Sequence, residues 1–176
     1  MTKINMLSAT ELLKKYADGS LSPVEVTKEV LATISRHNDT VNAFVMVDEE
    51  GALKAAKNSE ERWQRGQPEG RLDGIPTTVK DLVIAKNWPT LRGSNTTDAK
   101  GPWLEDAPAV ARLKEHNAVL LGKTTTPEFG WKGVTDCPLT GITRNPWNLE
   151  MTPGGSSGGA AVAAAFPGVL ARDRAD

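Results

Sequence analysis

The sequence predicts an α/β fold, a mixed sheet covered by helices, and three observations carry that prediction. Ala43-Phe44-Val45-Met46-Val47 is a short β-rich run of the length of a buried strand. Leu72 to Asp81 is a second apolar, β-branched run, interrupted by one lysine, Lys80. A helical pattern over Asp106 to Asn117 then leads directly into Ala118-Val119-Leu120-Leu121-Gly122, a third apolar run. Strand, helix and strand in that order point to a sheet covered by helices. With 176 residues, 39% hydrophobic and 24% charged, the chain can bury a core of its own and has a globular composition.

The remaining elements follow from local chemistry. Ser8-Ala9-Thr10-Glu11 has the form of a capping box and opens a short helix through Leu12, Leu13 and Tyr16, stopped by Asp18-Gly19. Ser22-Pro23 reads as an N-cap with proline in the first turn. The helix it starts places Val26, Val30 and either Ala32 or Thr33-Ile34 toward one side, with Thr27, Leu31 and Ile34 completing an apolar stripe. Asp48 to Arg65 is a charged surface helix that ends near Gly66, and Gln67 to Gly70 is a turn. Ile75 to Val79 reads as an interior strand. From Thr124 to Met151 the chain is mostly loop, and it reaches Pro153-Gly154-Gly155-Ser156-Ser157-Gly158-Gly159 before an alanine-rich helix.

Charge and composition exclude several function classes. Lys and Arg number 21 against 22 Asp and Glu, a net charge of −1, which gives no global attraction to nucleic acid or to an anionic membrane. One cysteine, Cys137, leaves no disulfide framework and no cysteine-rich zinc site, and the two histidines, His37 and His116, are little material for a metal centre. The most apolar stretch, Ala160 to Ala171, is too short to span a bilayer and is broken by Pro167 and Gly168. Met1 to Leu13 has no secretory apolar core. The cytoplasm is the expected compartment, with neither nucleic acid nor membrane as partner.

Two places could do chemistry. A glycine-serine stretch is often a flexible linker, but this one lies between a proline turn and a helix, where converging backbone N–H groups can hold an anion or a polarised carbonyl oxygen. It is no nucleotide loop, because Ala160 and Ala161 stand where a Lys-Ser/Thr pair would have to follow Gly159. Lys80 ends an apolar strand pattern. It either reaches water or pairs with Asp81, or it is partly desolvated and acts as a base. His37 and His116 read as surface or cap residues and Cys137 as an incidental thiol in a loop, so a Ser-Lys arrangement needs fewer assumptions than a Ser-His-Asp triad.

Taken together, Gly74 to Asp81, Gly122 to Gly130, Thr143-Arg144-Asn145-Pro146-Trp147 and Pro153 to Gly159 resemble the amidase signature family in order and spacing. The two N-terminal helices and Asp106 to Leu113 fit it too, and the resemblance extends to about Ala165. It implies the amidase-signature fold, here its N-terminal part, within one incomplete domain over 1–176. That domain has a helical region over 1–65, part of the signature core over 72–165 and a tail over 166–176 that departs from the family. It also implies hydrolysis of a small-molecule amide by a Ser-Ser-Lys triad, without metal or organic cofactor. Lys80 would be the catalytic lysine, and Ser156 the bridging serine, held by a cis peptide bond. Ser157, Gly154 and Gly155 would support them. Thr125, Thr126, Phe129 and Trp131 would belong to the wall facing the acyl part of the substrate.

The family's nucleophile lies farther along, in a Gly-Thr-Asp-x-Gly-Gly-Ser segment whose backbone also forms the oxyanion hole, and no such segment occurs in these residues. Either they belong to a longer amidase, or the 176-residue chain is a truncated, non-catalytic remnant or a partner of another subunit. No turnover is expected from this exact chain. A glutamyl-tRNA amidotransferase A-type subunit ranks below a general amidase, because Thr126-Pro127-Glu128-Phe129-Gly130-Trp131 is closer to the latter. The N-terminal helices leave a homodimer open.

Overall fold

The structure, a computed structural model, describes residues 4–170; the side chains of residue 5 and of residues 166–170 are outside the description. The expected departure of the tail over 166–176 therefore lies largely outside the described residues.

The first two helices form where their caps predict. α1 (Ala9–Ala17) and α2 (Pro23–Val41) each begin with a complete capping box, Ser8 with Glu11 and Ser22 with Glu25. Such a pair satisfies two of the N–H groups that a helix start leaves open. α2 buries Val26, Thr27, Leu31, Thr33 and Ile34, while Ala32 is exposed, which settles the side of the stripe. α2 ends at Asn42 in the left-handed conformation, and the chain turns into β1 (Phe44–Val47). α3 (Glu49–Gln64) follows, capped by Asp48.

At the end of α3, Arg62 makes a fork onto Asp73, with Nε to Oδ2 at 2.9 Å and a terminal nitrogen to Oδ1 at 2.6 Å. Asp73 is fully buried. Burial opposes its ionisation, but Arg62, Ser59 and the Glu69 N–H outweigh that and hold the carboxyl below the usual range. This clasp fixes the entry to β2 (Pro76–Lys80), which crosses through α4 (Pro108–Glu115) to β3 (Val119–Thr124).

The main sheet has the order β1-β3-β2, with β3 antiparallel to β1 and parallel to β2, so it is mixed as expected. All six residues of β3 are buried. Helices cover both its faces, which is why it reads as an unbroken apolar run rather than an alternating one. One core packs Leu31, Ile34, Phe44, Ala52, Val119, Leu121 and Val162 between the sheet and α2, α3 and α5 (Gly158–Leu170). The other packs Val79, Ala85, Val110, Ala118 and Leu120 beneath α4.

Three expectations change. β2 is the edge of the three described strands rather than an interior one, with only Val79 buried. Cys137 belongs to a short strand, β4 (Asp136–Cys137), paired with β5 (Gly141–Ile142), where its buried thiol meets Thr140 Oγ1. α5 also continues past Pro167 and Gly168 to Leu170.

Alternation along β3 is interrupted in a way that matters for the site. Thr77 pairs with Leu120 but Val79 pairs with Lys123, so β3 carries one extra residue there. Gly122 sits in that bulge at φ 151°, and a Cβ on it would collide with the Met46 carbonyl oxygen. The bulge moves Lys123 onto the face of Leu120 and Val79, one residue out of step with Val119 and Leu121.

Candidate active site

Lys80 is the last residue of β2, and its side chain points away from the Val79 face toward the glycine-serine loop. Its Nζ donates to Ser156 Oγ at 2.7 Å and to Ser157 Oγ at 2.9 Å. Among the described residues it takes part in no ion pair with a carboxylate. Burial, with no counter-charge to offset it, pushes the Lys80 ammonium below the ordinary lysine value. Of the two roles open for Lys80, the pairing with Asp81 does not occur.

The loop that presents the serines is held on several sides. Thr135 Oγ1 donates to the Gly154 carbonyl at 2.8 Å and accepts the Gly158 N–H at 3.0 Å, closing the turn into α5. Thr126 Oγ1 donates to the Ser156 carbonyl at 3.3 Å. The Ser157 carbonyl accepts the Ala161 N–H at 3.0 Å, an early bond of α5. The Gly155–Ser156 peptide is cis, as the resemblance implied. Glycine is required by close approach: a Cβ on Gly155 would lie 2.8 Å from the Val134 backbone, and one on Gly159 would lie 2.6 Å from the Ala43 carbonyl oxygen. A loop so confined is a built turn, and the linker reading does not survive.

Behind the strand lies a second lysine that sequence reading passed over. Lys123 has no exposed surface, and its Nζ donates to the Val83 carbonyl and to Thr90 Oγ1, both at 2.8 Å, and lies 3.4 Å from Asp81 Oδ1. Burial disfavours the charged form of both, pushing the Lys123 ammonium below and the Asp81 carboxyl above their ordinary values, each drawn part of the way back by the other. The one available signal was a lysine inside an otherwise apolar strand run, the same anomaly that drew attention to Lys80.

The amidase family model matches residues 25–171. The chain belongs to the amidase family. It is 43% identical over 94% of its length to the A-type subunit of a glutamyl-tRNA(Gln) amidotransferase from Salinispora tropica, of which it covers 33%. Among solved structures it is similar to an amidase, at 36% identity and a TM-score of 0.84, with 92% of this chain and 36% of the other covered. It is also similar to the peptide amidase of Stenotrophomonas maltophilia, at 31% identity and a TM-score of 0.82, covering 90% and 34%. The chain spans about a third of the length of the curated relatives it matches.

Within this amidase-family chain the other expected site residues separate into two groups. Thr125 is buried, its hydroxyl shared with Thr143 Oγ1 at 2.7 Å beneath the carbonyls of Asn42 and Ala43. Thr126 is equally buried but touches Ser156. Phe129, at φ 49°, and Trp131 are exposed, Trp131 to 74%. His116 caps α4, where its Nδ1 accepts the Arg71 N–H, and His37 lies half-buried in α2. Among the described residues no group of three or more His, Cys, Asp or Glu could hold a metal ion, and no helix is long and apolar enough to cross a membrane.

Proposed function

We propose that Lys80, Ser156 and Ser157 form the proton-relay half of an amide-hydrolysing site, acting on a small carboxylic amide to release the acid and ammonia or an amine. The observation that carries this reading is the 2.7 Å contact of Lys80 Nζ with Ser156 Oγ in a setting without a neighbouring carboxylate. A lysine that loses its proton readily there accepts one from Ser156 while Ser156 takes one from the attacking serine hydroxyl. The nucleophile gains its electron pair for the amide carbon as the C–N bond weakens. The same proton returns through Ser156 to the leaving nitrogen, and water then releases the acyl group as acid. Ser157 and the amides around Gly154 and Gly155 keep the relay in place. Thr126, Phe129 and Trp131 face the acyl part of the substrate, whereas Thr125 supports the wall from within.

The attacking serine and its oxyanion hole are not among these 176 residues, so the chain alone releases no ammonia. The test uses protein isolated from its native source, whose intact mass is measured first. A species well above 18.9 kDa that releases ammonia from a simple amide, and loses at least about 10²–10⁴-fold in kcat with Lys80→Ala or Ser156→Ala, supports the reading. Ammonia release that survives both substitutions overturns it. Turnover by the purified 176-residue chain overturns its predicted inactivity.

A second reading, an amidotransferase A-type subunit, is favoured by the names of the curated relatives, although the Thr126–Trp131 segment ranks it second on sequence. It uses the same relay but releases its ammonia within an assembly. Companion subunits that co-purify with the native protein, and a turnover that depends on tRNA, would select it over a free-standing amidase.

A further inference from the structure

The loop that carries Ser156 and Ser157 is gripped on both sides by one buried hydroxyl. Thr135 Oγ1 donates to the Gly154 carbonyl at 2.8 Å, and the same oxygen accepts the Gly158 N–H at 3.0 Å. The two serines lie between those anchors. A Cβ on Gly158 would collide with Thr135 Oγ1, so the grip depends on glycine there.

Thr135 is itself fixed from behind. It precedes β4, and its carbonyl accepts the Thr143 N–H at 2.9 Å, which extends the β4–β5 ladder by one pair. That hairpin is pinned to the end of α2. Asn42 Nδ2 donates to the Thr140 carbonyl at 2.6 Å, Thr143 Oγ1 donates to the Asn42 carbonyl at 2.8 Å, and the Arg144 N–H donates to the Val41 carbonyl at 2.9 Å. A chain of hydrogen bonds therefore runs from α2 through the hairpin to the glycine-serine loop, and Thr135 is its last link.

We propose that Thr135 is a positioning residue for the Lys80–Ser156 relay: by spanning the loop it fixes where the Ser156 and Ser157 hydroxyls stand relative to Lys80 Nζ. The inference rests on the reading of Lys80 as the base. Lys80 meets those hydroxyls at 2.7 and 2.9 Å, and both belong to the stretch that Thr135 closes. A released loop lets water take their place and relieves the burial that holds the Lys80 ammonium below its ordinary value. The nearby carboxylates are already paired, Asp81 with Lys123 and Asp136 with Lys132, so the change follows the solvation of Lys80 rather than a new counter-charge. The position needs a group that donates and accepts at once. Valine, of nearly the same shape, can do neither, and serine can do both.

The test reads Lys80 in the 176-residue chain and requires no turnover. The side-chain ¹³Cε signals of Lys80 and Lys123 are assigned through bonds and followed by NMR against pH. In Thr135→Val the Lys80 titration moves upward by about half a pH unit or more, while buried Lys123 keeps its wild-type titration. Thr135→Ser returns Lys80 to the wild-type value. In a longer native species that releases ammonia, Thr135→Val lowers kcat by about 10–10²-fold with little change in KM, and Thr135→Ser recovers most of the loss. A Lys80 titration unmoved in Thr135→Val overturns the proposal, and so does one that moves as far in Thr135→Ser. Where Thr135→Val does not fold, Thr135→Ala takes its place. Lys80 and Lys123 moving together in both variants would make Thr135 a residue of the fold at large, which overturns the proposal too. A wild-type Lys80 that titrates as an ordinary lysine is a separate failure, that of the base assignment, and it is read before any variant is made.

Discussion

Two lysines sit on adjacent strands, and the chain treats them in opposite ways. Lys123 is sealed within the protein, with a carboxylate, a carbonyl and a hydroxyl arranged around its three N–H groups. Lys80 is half-buried and, among the described residues, donates to two hydroxyl oxygens and to no carboxylate. Both lose some hold on their proton through burial, but only Lys123 has an opposite charge to restore it. The difference separates a lysine that holds structure from one able to give up its charge. A buried ammonium with a partner is a fixed strut, whereas an ammonium with neutral acceptors is poised to become an amine.

Breaking the strut has the largest expected effect. Lys123→Met leaves the Asp81 carboxylate buried and alone, and denaturant unfolding should show a loss of about 3–5 kcal/mol. Replacing both partners, Asp81→Leu with Lys123→Met, should recover much of that loss, because no uncompensated charge remains. A double variant as unstable as the single would mean that packing, not charge, is what Lys123 supplies.

The Arg62–Asp73 clasp sharpens the same contrast, since there hydrogen bonds win over burial and the carboxyl is held low. A carboxyl with a depressed folded value contributes stability above its unfolded value near 3.8, and that contribution is lost as pH falls through the folded value. Asp73→Asn should therefore cost about 1.5–3 kcal/mol at neutral pH. It should also flatten the decline in stability below about pH 4, read by thermal melts across that range. An unchanged acid limb would remove Asp73 as its source.

Gly122→Ala tests the bulge that sends the two lysines to opposite faces. The added methyl meets the Met46 carbonyl, and a loss of about 1–3 kcal/mol is expected in chemical unfolding. The smallest effect belongs to the open site. Lys80→Met removes a charge that burial disfavours, so the melting temperature should stay level or rise. A clear fall would mean that Lys80 is a second strut and would dissolve the comparison.

Much of this was legible in the sequence because it is local. Ser8 with Glu11 and Ser22 with Glu25 write their helix starts within four residues, and the run from Ala118 declares a buried strand by its composition. Lys80, Ser156 and Ser157 stood out as a lysine in an apolar run and serines in a glycine-dense turn, residue types whose positions need a reason. The edge position of β2 was not legible, since an apolar run looks alike at an edge and in an interior. Nor was the division between Thr125 and Thr126: adjacent hydroxyls carry no local sign of which one meets Ser156 and which one lies beneath Asn42.

By itself, then, the sequence determined the family, the helices with their caps, and the residues from which the site is made. Tertiary structure decided the partnerships. Asp81 adjoins Lys80 in the chain yet binds Lys123, 42 positions away, and Lys80 meets Ser156 across 76 positions. For the Asp81–Lys123 pair the physical reason is the one extra residue at Gly122. Side chains alternate with a period of two, so a single insertion reverses the face of every later residue in the strand, and only the paired strand reveals where that insertion falls.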